Sequence, residues 1–219
     1  MKIAVVAPAF NEAKRIRAVL SDISDSKLPA YVVDDGSNDP TSDSARGFKN
    51  VRVLRHAINL GKGAALKTGC LAAFKDGFEA VILMDSDGQH DAADIGKFTA
   101  KLNAGYDIVY GTRDYGLGVP LIRFLGNKFA SVFINLLFGI YISDLICGYR
   151  ALTRRAFTKI DWESTGYGVE TEMVIKTAKN HLKYCEVMVE NLYHDKYKGV
   201  TIVDALGVFF QVIGWRLKI

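Results

Sequence analysis

A chain of 219 residues is long enough to bury one sizeable core and too short for two large domains. With 49% hydrophobic residues, 24% charged residues and only 4 prolines, its composition excludes a disordered, collagen-like or low-complexity protein. The 28 Lys and Arg against 24 Asp and Glu leave a net charge of +4, a slight bias toward anionic partners without the concentrated basic face of a nucleic-acid binder.

The predicted elements alternate from the start. Ile3 to Ala7 is a continuous apolar run rich in β-branched residues, and Ile16, Val19, Leu20 and Ile23 then recur at helical spacing. Ala30 to Val33 is a second strand that runs into the turn formers Asp34-Asp35-Gly36-Ser37, and Val51 to Leu54 is a third. A small-residue helix from about Gly61 to Phe74 puts Leu66, Cys70, Ala73 and Phe74 on one face, ahead of a fourth strand, Ala80 to Met84. A helix near Ala92 to Leu102 and a strand Ile108 to Tyr110 follow. Beyond Val119 the alternation breaks down into a long apolar helix, a short segment around Gly148 to Leu152, a helix around Glu170 to Lys179, a strand Tyr184 to Val189 and a terminal helix. No linker or repeat divides the chain, so residues 1–199 are expected to form one domain, with 200–219 as a C-terminal amphipathic helix.

Apolar strands separated by helices predict an α/β fold with a mostly parallel central sheet and helices on both faces. In such sheets ligands bind outside the carboxyl ends of the strands. Here those ends carry polar clusters: Pro8-Ala9-Phe10-Asn11-Glu12, Asp34-Asp35, Asp85-Ser86-Asp87 and Gly111-Thr112-Arg113-Asp114. They are expected to converge on one cleft.

The N-terminal apolar run turns polar at Asn11 and Glu12, too short for a signal peptide, which predicts a cytoplasmic location. Phe129 to Ile142 is apolar except for Ser131 and Asn135 but falls short of the roughly 20 residues a spanning helix needs. Val200 to Ile219 has the length, yet Asp204, Gln211 and Lys218 form a polar stripe along it. Such a helix either packs on protein or lies along a membrane interface with Trp215, Arg216 and Lys218 near the headgroups. Cys70, Cys147 and Cys185 are far apart among small or apolar residues and read as buried reduced thiols, and no cysteine or histidine spacing suits zinc.

Two nucleotide signatures are absent. The first turn lacks GxGxxG, and Gly61-Lys62-Gly63 lacks the spacing of a Walker loop. Asp85-Ser86-Asp87 carries the strongest chemical signal. Two carboxylates at i and i+2 leaving a buried strand can point the same way and offer hard oxygen ligands to Mg²⁺ or Mn²⁺, with the amide of Gln89 as a third. The rival readings are a calcium loop, which Gly88 and Gln89 do not fit, and a solvated acidic turn. Asp34 and Asp35 could accept hydrogen bonds from a base or ribose or be only a turn. Asn11 and Glu12 could be only a helix start, with Phe10 offering a flat apolar face beside them.

In order, PAFNE, VVDDGSND, NLGKGAALKTG, MDSDGQH, GTRD, DLICGYR and GYGVETEM resemble the family 2 glycosyltransferases with the GT-A fold, in particular the dolichyl-phosphate mannose synthases and polyprenyl-phosphate glucosyltransferases. The resemblance implies an inverting transfer of mannose or glucose from a nucleotide sugar (GDP-mannose or UDP-glucose) to a polyprenyl or dolichyl phosphate. It also implies a peripheral position at the inner face of the cell membrane, and no nucleic acid. By the same resemblance Pro8, Phe10, Glu12, Val33 and Asp35 would hold the nucleoside. Asp85, Asp87 and Gln89, with Ser86 between them, would bind Mg²⁺ or Mn²⁺ across the diphosphate. Arg113 would lie near the phosphates, Asp144, Gly148, Tyr149 and Arg150 would line the sugar and acceptor side, and Glu172 matches the acidic residue of an EM pair. Asp144 or Glu172 would orient sugar hydroxyls or act as a base with a neutral acceptor. Arg123 and Lys128 are further candidates for steering a lipid phosphate or plain surface charges. The stretch Asp195 to Ile202 departs from the mannose-synthase pattern. It keeps basic residues and Gly199 but has Ile202 where the closing lysine would fall, so Lys196 or Lys198 would take its place. Other readings of the same residues are a family 2 enzyme acting on a soluble sugar or polysaccharide and a nucleotidyltransferase.

Overall fold

A computed structural model describes residues 1–113, 121–190 and 202–217. Strand β1 (Ile3–Ala9) is buried at every position, as a strand covered on both faces must be, and β2 (Ala30–Asp34) beside it is equally buried. Between them helix α1 (Ile16–Asp25) buries the predicted Ile16, Val19, Leu20 and Ile23. A short helix α2 (Thr41–Ala45), which the sequence did not announce, leads to β3 (Val51–Arg55). Helix α3 (Lys62–Lys75) crosses back over β1 and β2. Its small residues explain how closely it lies. A Cβ added at Gly69 would stand 2.4 Å from Val6 Cγ1, so only glycine lets the helix settle on the sheet there.

The chain continues through β4 (Ala80–Leu83), α4 (Ile95–Asn103) and β5 (Ile108–Arg113), then α5 (Leu121–Phe138), β6 (Arg150–Thr153), α6 (Arg154–Ile160), α7 (Val169–Lys179), β7 (Tyr184–Val189) and α8 (Ile202–Leu217). The seven strands form one sheet in the order β3-β2-β1-β4-β6-β5-β7. All pairings are parallel except those of β6, which runs antiparallel between β4 and β5. The second half thus completes the first half's sheet, and the segment expected at Gly148 to Leu152 becomes the strand that joins them.

Two apolar clusters cover the two faces. One packs α3, α5, α6 and α7 against residues such as Val6, Leu83 and Tyr110, and the other packs α1 and α4 against Val5, Ile82 and Val109. Val212 and Trp215 of α8 belong to the first cluster, so this helix rests on protein along at least that side. Cys70 and Cys147 are buried and free, whereas Cys185 is only half-buried because it lies on the edge strand β7. Among the described residues no helix is long and apolar enough to cross a membrane.

Candidate active site

The ends of β1, β2, β4 and β5 open on one side of the sheet, and β6 begins there. In register Arg150 lies opposite both Leu83 of β4 and Tyr110 of β5, so Cys147 to Tyr149 enter between the turn that follows β4 and the end of β5. Antiparallel insertion of β6 is what brings CGYR beside DSD.

Three contacts fix the Asp85-Ser86-Asp87 turn. Ser86 Oγ donates to the Pro8 carbonyl at 2.7 Å, the Asp85 amide donates to His90 Nδ1 at 3.3 Å, and Asp87 Oδ1 accepts from the Gln89 amide at 3.0 Å. His90 is buried and stacks on Tyr149 at a centroid distance of 4.9 Å, and Tyr149 stacks on Phe98 at 4.4 Å. Burial pulls the His90 pKa down to about 4, so the ring is neutral at physiological pH and can accept from Asp85. Tyr149 therefore supports the turn from beneath.

Lys62 Nζ lies 2.8 Å from Asp85 Oδ1 and 2.8 Å from Glu170 Oε1, joining α3, the turn and the first residues of α7. Gly148 is pressed against this trio: a Cβ there would stand 2.4 Å from Asp85 Oδ2 and 2.8 Å from Lys62 Nζ. Burial opposes charge on Asp85, but the Lys62 ammonium holds its carboxyl below the usual range. Asp87 goes the other way, raised by burial and by the charge of Asp85. Two close carboxylates, one of them resisting ionisation, form a donor set that a hard cation stabilises. Among the described residues no group of three or more His, Cys, Asp or Glu is placed to hold a metal. The donor set fits a cation that takes two carboxylates, an amide oxygen and substrate phosphates, as Mg²⁺ commonly does.

Across the cleft Arg113 forms a forked pair with Asp144. Nε donates to Oδ2 at 2.7 Å, Nη2 to Oδ1 at 2.9 Å, and the Arg113 amide to Oδ2 at 3.2 Å. Asn127 of α5 donates to the same carboxylate at 3.0 Å and accepts from the Leu145 amide. Asp144 is fully buried in this arrangement. The residue expected as a base or sugar ligand is thus paired with Arg113 here.

Arg150 and Glu172 are likewise engaged by neighbours. The Arg150 guanidinium is buried, donates to the carbonyls of Cys147, Leu145 and Glu170, and lies over the Tyr110 ring. It ties the segment before β6 to α7 and offers no face to a phosphate. Glu172 accepts from the Glu163 and Ser164 amides and pairs with Lys176 at 2.8 Å, and although burial opposes its charge these bonds hold its carboxyl low. It anchors the loop before α7. That loop in turn meets α3, where the Gly63 amide donates to the Thr165 carbonyl and Trp162 Nε1 donates to the Gly63 carbonyl.

At the expected nucleoside end, Phe10 is exposed and Glu12 is buried beside Arg15 at 3.2 Å. Pro8 and Val33 are opposite each other in the β1–β2 register, with Val33 buried near Gly69. Asp35 accepts from the Leu60 and Gly61 amides and meets His56 Nδ1 at 2.7 Å, so its carboxylate holds the loop before α3. Lys128 donates to the Ser143 carbonyl. Lys196, Lys198, Asp114 and the side chain of Arg123 lie outside the described residues.

The sequence reading missed Lys62, Glu170, His90 and Asn127. Lys62 lies in the NLGKGAALKTG stretch, where no role attaches to it, and Glu170 stands in the same GYGVETEM stretch as Glu172.

Set beside known proteins, residues 4–161 match the sequence profile of glycosyl transferase family 2. The chain belongs to that family. It is 27% identical to a polyprenol monophosphomannose synthase of Mycolicibacterium smegmatis, over 98% of this chain and 86% of the relative. It is likewise 27% identical to a UDP-N-acetylglucosamine–dolichyl-phosphate N-acetylglucosaminyltransferase of Methanococcus voltae, over 95% and 94%. Among solved structures it superimposes on glucosyl-3-phosphoglycerate synthase from Mycobacterium tuberculosis, crystallised with Mn²⁺, UDP-glucose and phosphoglyceric acid. The TM-score is 0.76 at 22% identity, covering 99% of this chain and 79% of that one. This likeness bears on the fold, which is of the GT-A kind. The family 2 chain described here thus carries its DSD and GTR motifs where strand β6 draws the two halves of the sheet together.

Proposed function

We propose that this family 2 glycosyltransferase moves a hexose from a nucleotide sugar to a polyprenyl or dolichyl phosphate at the surface of a membrane. The observation that carries the reading is the state of its acidic residues. A neutral hydroxyl acceptor needs a positioned base, yet Asp144 and Glu172, the sequence's candidates, are buried with their oxygens committed. A lipid monophosphate is already anionic and needs none. Relatives named for polyprenol and dolichyl phosphate chemistry, matched over nearly the whole chain, support the same acceptor class.

Asp85 and Asp87, with Gln89, would hold Mg²⁺ or Mn²⁺. When bound, that ion supplies Lewis-acid stabilisation of the departing nucleoside diphosphate. Lys62 keeps Asp85 ionised, and His90 and Ser86 hold the turn in place. Arg113, oriented by Asp144 and Asn127, is the cation for a phosphate at the end of β5. Phe10 and Glu12 would hold the nucleoside in this reading. Residues 1–199 serve as the catalytic domain in this reading.

Contact with the membrane is better supported at α5 than at the terminal helix. Leu125, Phe129, Val132 and Leu136 recur at helical spacing on α5 and are 53%, 66%, 49% and 78% exposed, while Ile134 on the same helix is buried. Asn127 and Lys128 on this helix reach the Asp144 and Ser143 segment, so such a face would keep the cleft close to a lipid phosphate.

The test is transfer of label from GDP-mannose, UDP-glucose or UDP-N-acetylglucosamine to polyprenyl phosphate in micelles with Mg²⁺ or Mn²⁺. Label in the organic phase is expected; label passing only to water-soluble acceptors overturns the reading.

A further inference from the structure

Four non-glycine residues among those described have a positive φ: Asn11, Lys27, Asp161 and His181. Three of them stand at helix C-termini, where a left-handed residue is the ordinary way to end a helix. Lys27 follows the C-cap of α1, Asp161 is the C-cap of α6, and His181 follows the C-cap of α7. Asn11, at φ 56°, stands instead just past the carboxyl end of β1, between Phe10 and Glu12. A left-handed residue with a side chain costs free energy and persists only where its surroundings over-determine it. Here they do. The Asn11 amide donates to Ser37 Oγ at 2.9 Å, and Asn11 Oδ1 accepts from the Asn38 amide at 2.9 Å. The next two amides reach the same loop: Glu12 donates to Thr41 Oγ1 at 2.9 Å and Ala13 to Asp39 Oδ2 at 3.1 Å. On the other side of Phe10, the Ala9 carbonyl accepts from the Asp35 amide at 2.8 Å. The loop that receives these bonds is itself anchored on the buried Asp34, which accepts from the Ser37 amide at 2.9 Å and from Ser42 Oγ.

We propose that Asn11 is a positioning residue for nucleotide binding, which fixes the Phe10 ring by locking the turn after β1 to the turn after β2. The proposal rests on the reading that Phe10 meets the nucleoside of the donor. Phe10 is 42% exposed although it is apolar, and the backbone is bonded on both sides of it. The left-handed turn at Asn11 leaves the ring outside while the next residue, Glu12, is buried. A ring carried on a fixed backbone gives up little freedom when a flat base packs on it, so part of the cost of binding is met in advance. The amides of residues 11–13 are all taken by side chains of the following loop, so the backbone of this turn has no donor left for a phosphate. The turn is thus suited to the nucleoside end and leaves the diphosphate to the turn after β4. Asparagine answers both demands of the position. Glycine would adopt the same φ without the bond to Asn38, and alanine would meet neither demand.

Calorimetric titration of the full chain with UDP and with GDP in Mn²⁺ reads the effect without turnover or acceptor, and whichever binds the wild type more tightly is the probe thereafter. Asn11→Gly is expected to weaken the probe roughly five- to tenfold, the range of one lost hydrogen bond, and Asn11→Ala to weaken it further. Asn11→Asp keeps an acceptor for the Asn38 amide and tolerates the same φ, so it should bind the probe better than Asn11→Gly. A general loss of structure would also weaken binding, and a double-mutant cycle with Phe10→Ala separates the two. If Asn11 acts through the Phe10 ring, adding Asn11→Gly to Phe10→Ala should cost less than about twofold. An Asn11→Gly penalty of unchanged size in the Phe10→Ala background, Asn11→Gly binding as tightly as the wild type, or Asn11→Asp binding no better than Asn11→Gly overturns the positioning role and leaves the donor class standing. Should Asn11→Ala fail to fold, the glycine cycle decides. A wild type that binds neither UDP nor GDP overturns both the role and the reading it rests on.

Discussion

Four acidic residues from the motifs, two in each half of the sheet, differ in character. Those from the first half, Asp85 and Asp87, are partly exposed at the cleft, and Asp87 resists ionisation. Those from the second half, Asp144 and Glu172, are buried and saturated with donors. All four stand in motifs that carry the family resemblance. Spare valence at an accessible carboxylate marks chemistry, and a filled valence in the interior marks scaffolding. Glu170 is the exception in the second half, buried yet one partner short.

Substitutions can break this contrast, and the largest effect should come from the first half. Asp87→Ala is expected to lower transfer on the order of 10² to 10³-fold, the range for losing one preorganised electrostatic group, with little change in melting temperature. Near-normal activity at a normal metal requirement would remove Asp87 from the metal site. Asp144→Asn should act chiefly on stability, costing about 3 kcal/mol by urea titration because it strips the Arg113 guanidinium of its counter-ion. Full stability with lost turnover would move Asp144 to the chemical side. Glu172→Gln should cost about 1–3 kcal/mol, since one of the two loop amides loses its acceptor. A smaller signature belongs to Asp34. Burial opposes its charge, but donors from Ser37 and Ser42 hold its carboxyl below the usual carboxylate range. A depressed native value contributes stability that is present above the unfolded-state pKa and is lost as pH falls through it toward the native one. Asp34→Asn should therefore flatten the acid limb of a stability-against-pH curve below about pH 4.

Much of the fold was legible because strands buried on both faces announce themselves as continuous apolar runs. The first four strands stand within a residue or two of where the pattern put them. β6 was only partly visible: four residues beginning with a buried arginine do not look like an interior strand. The cleft was legible as a set of strand ends, but roles within it were not. Glu170 and Glu172 are two positions apart on α7, so they point to nearly opposite sides of the helix, and sequence does not say which side meets Lys62. The Arg113–Asp144 fork joins residues separated by 31 positions, a pairing set by β6 and α5 together. Charge type was readable; whether a neighbour had already claimed the charge was not.

Strand β6 also works as a ruler. Because it is hydrogen-bonded to both β4 and β5, the strands that deliver the DSD turn and Arg113 are held two strand spacings apart, about 9 to 10 Å. That gauge is set by backbone pairing and does not vary with side-chain identity. A change of donor sugar or acceptor must then be accommodated by what projects over the gap, while the distance between the two charged banks stays constant.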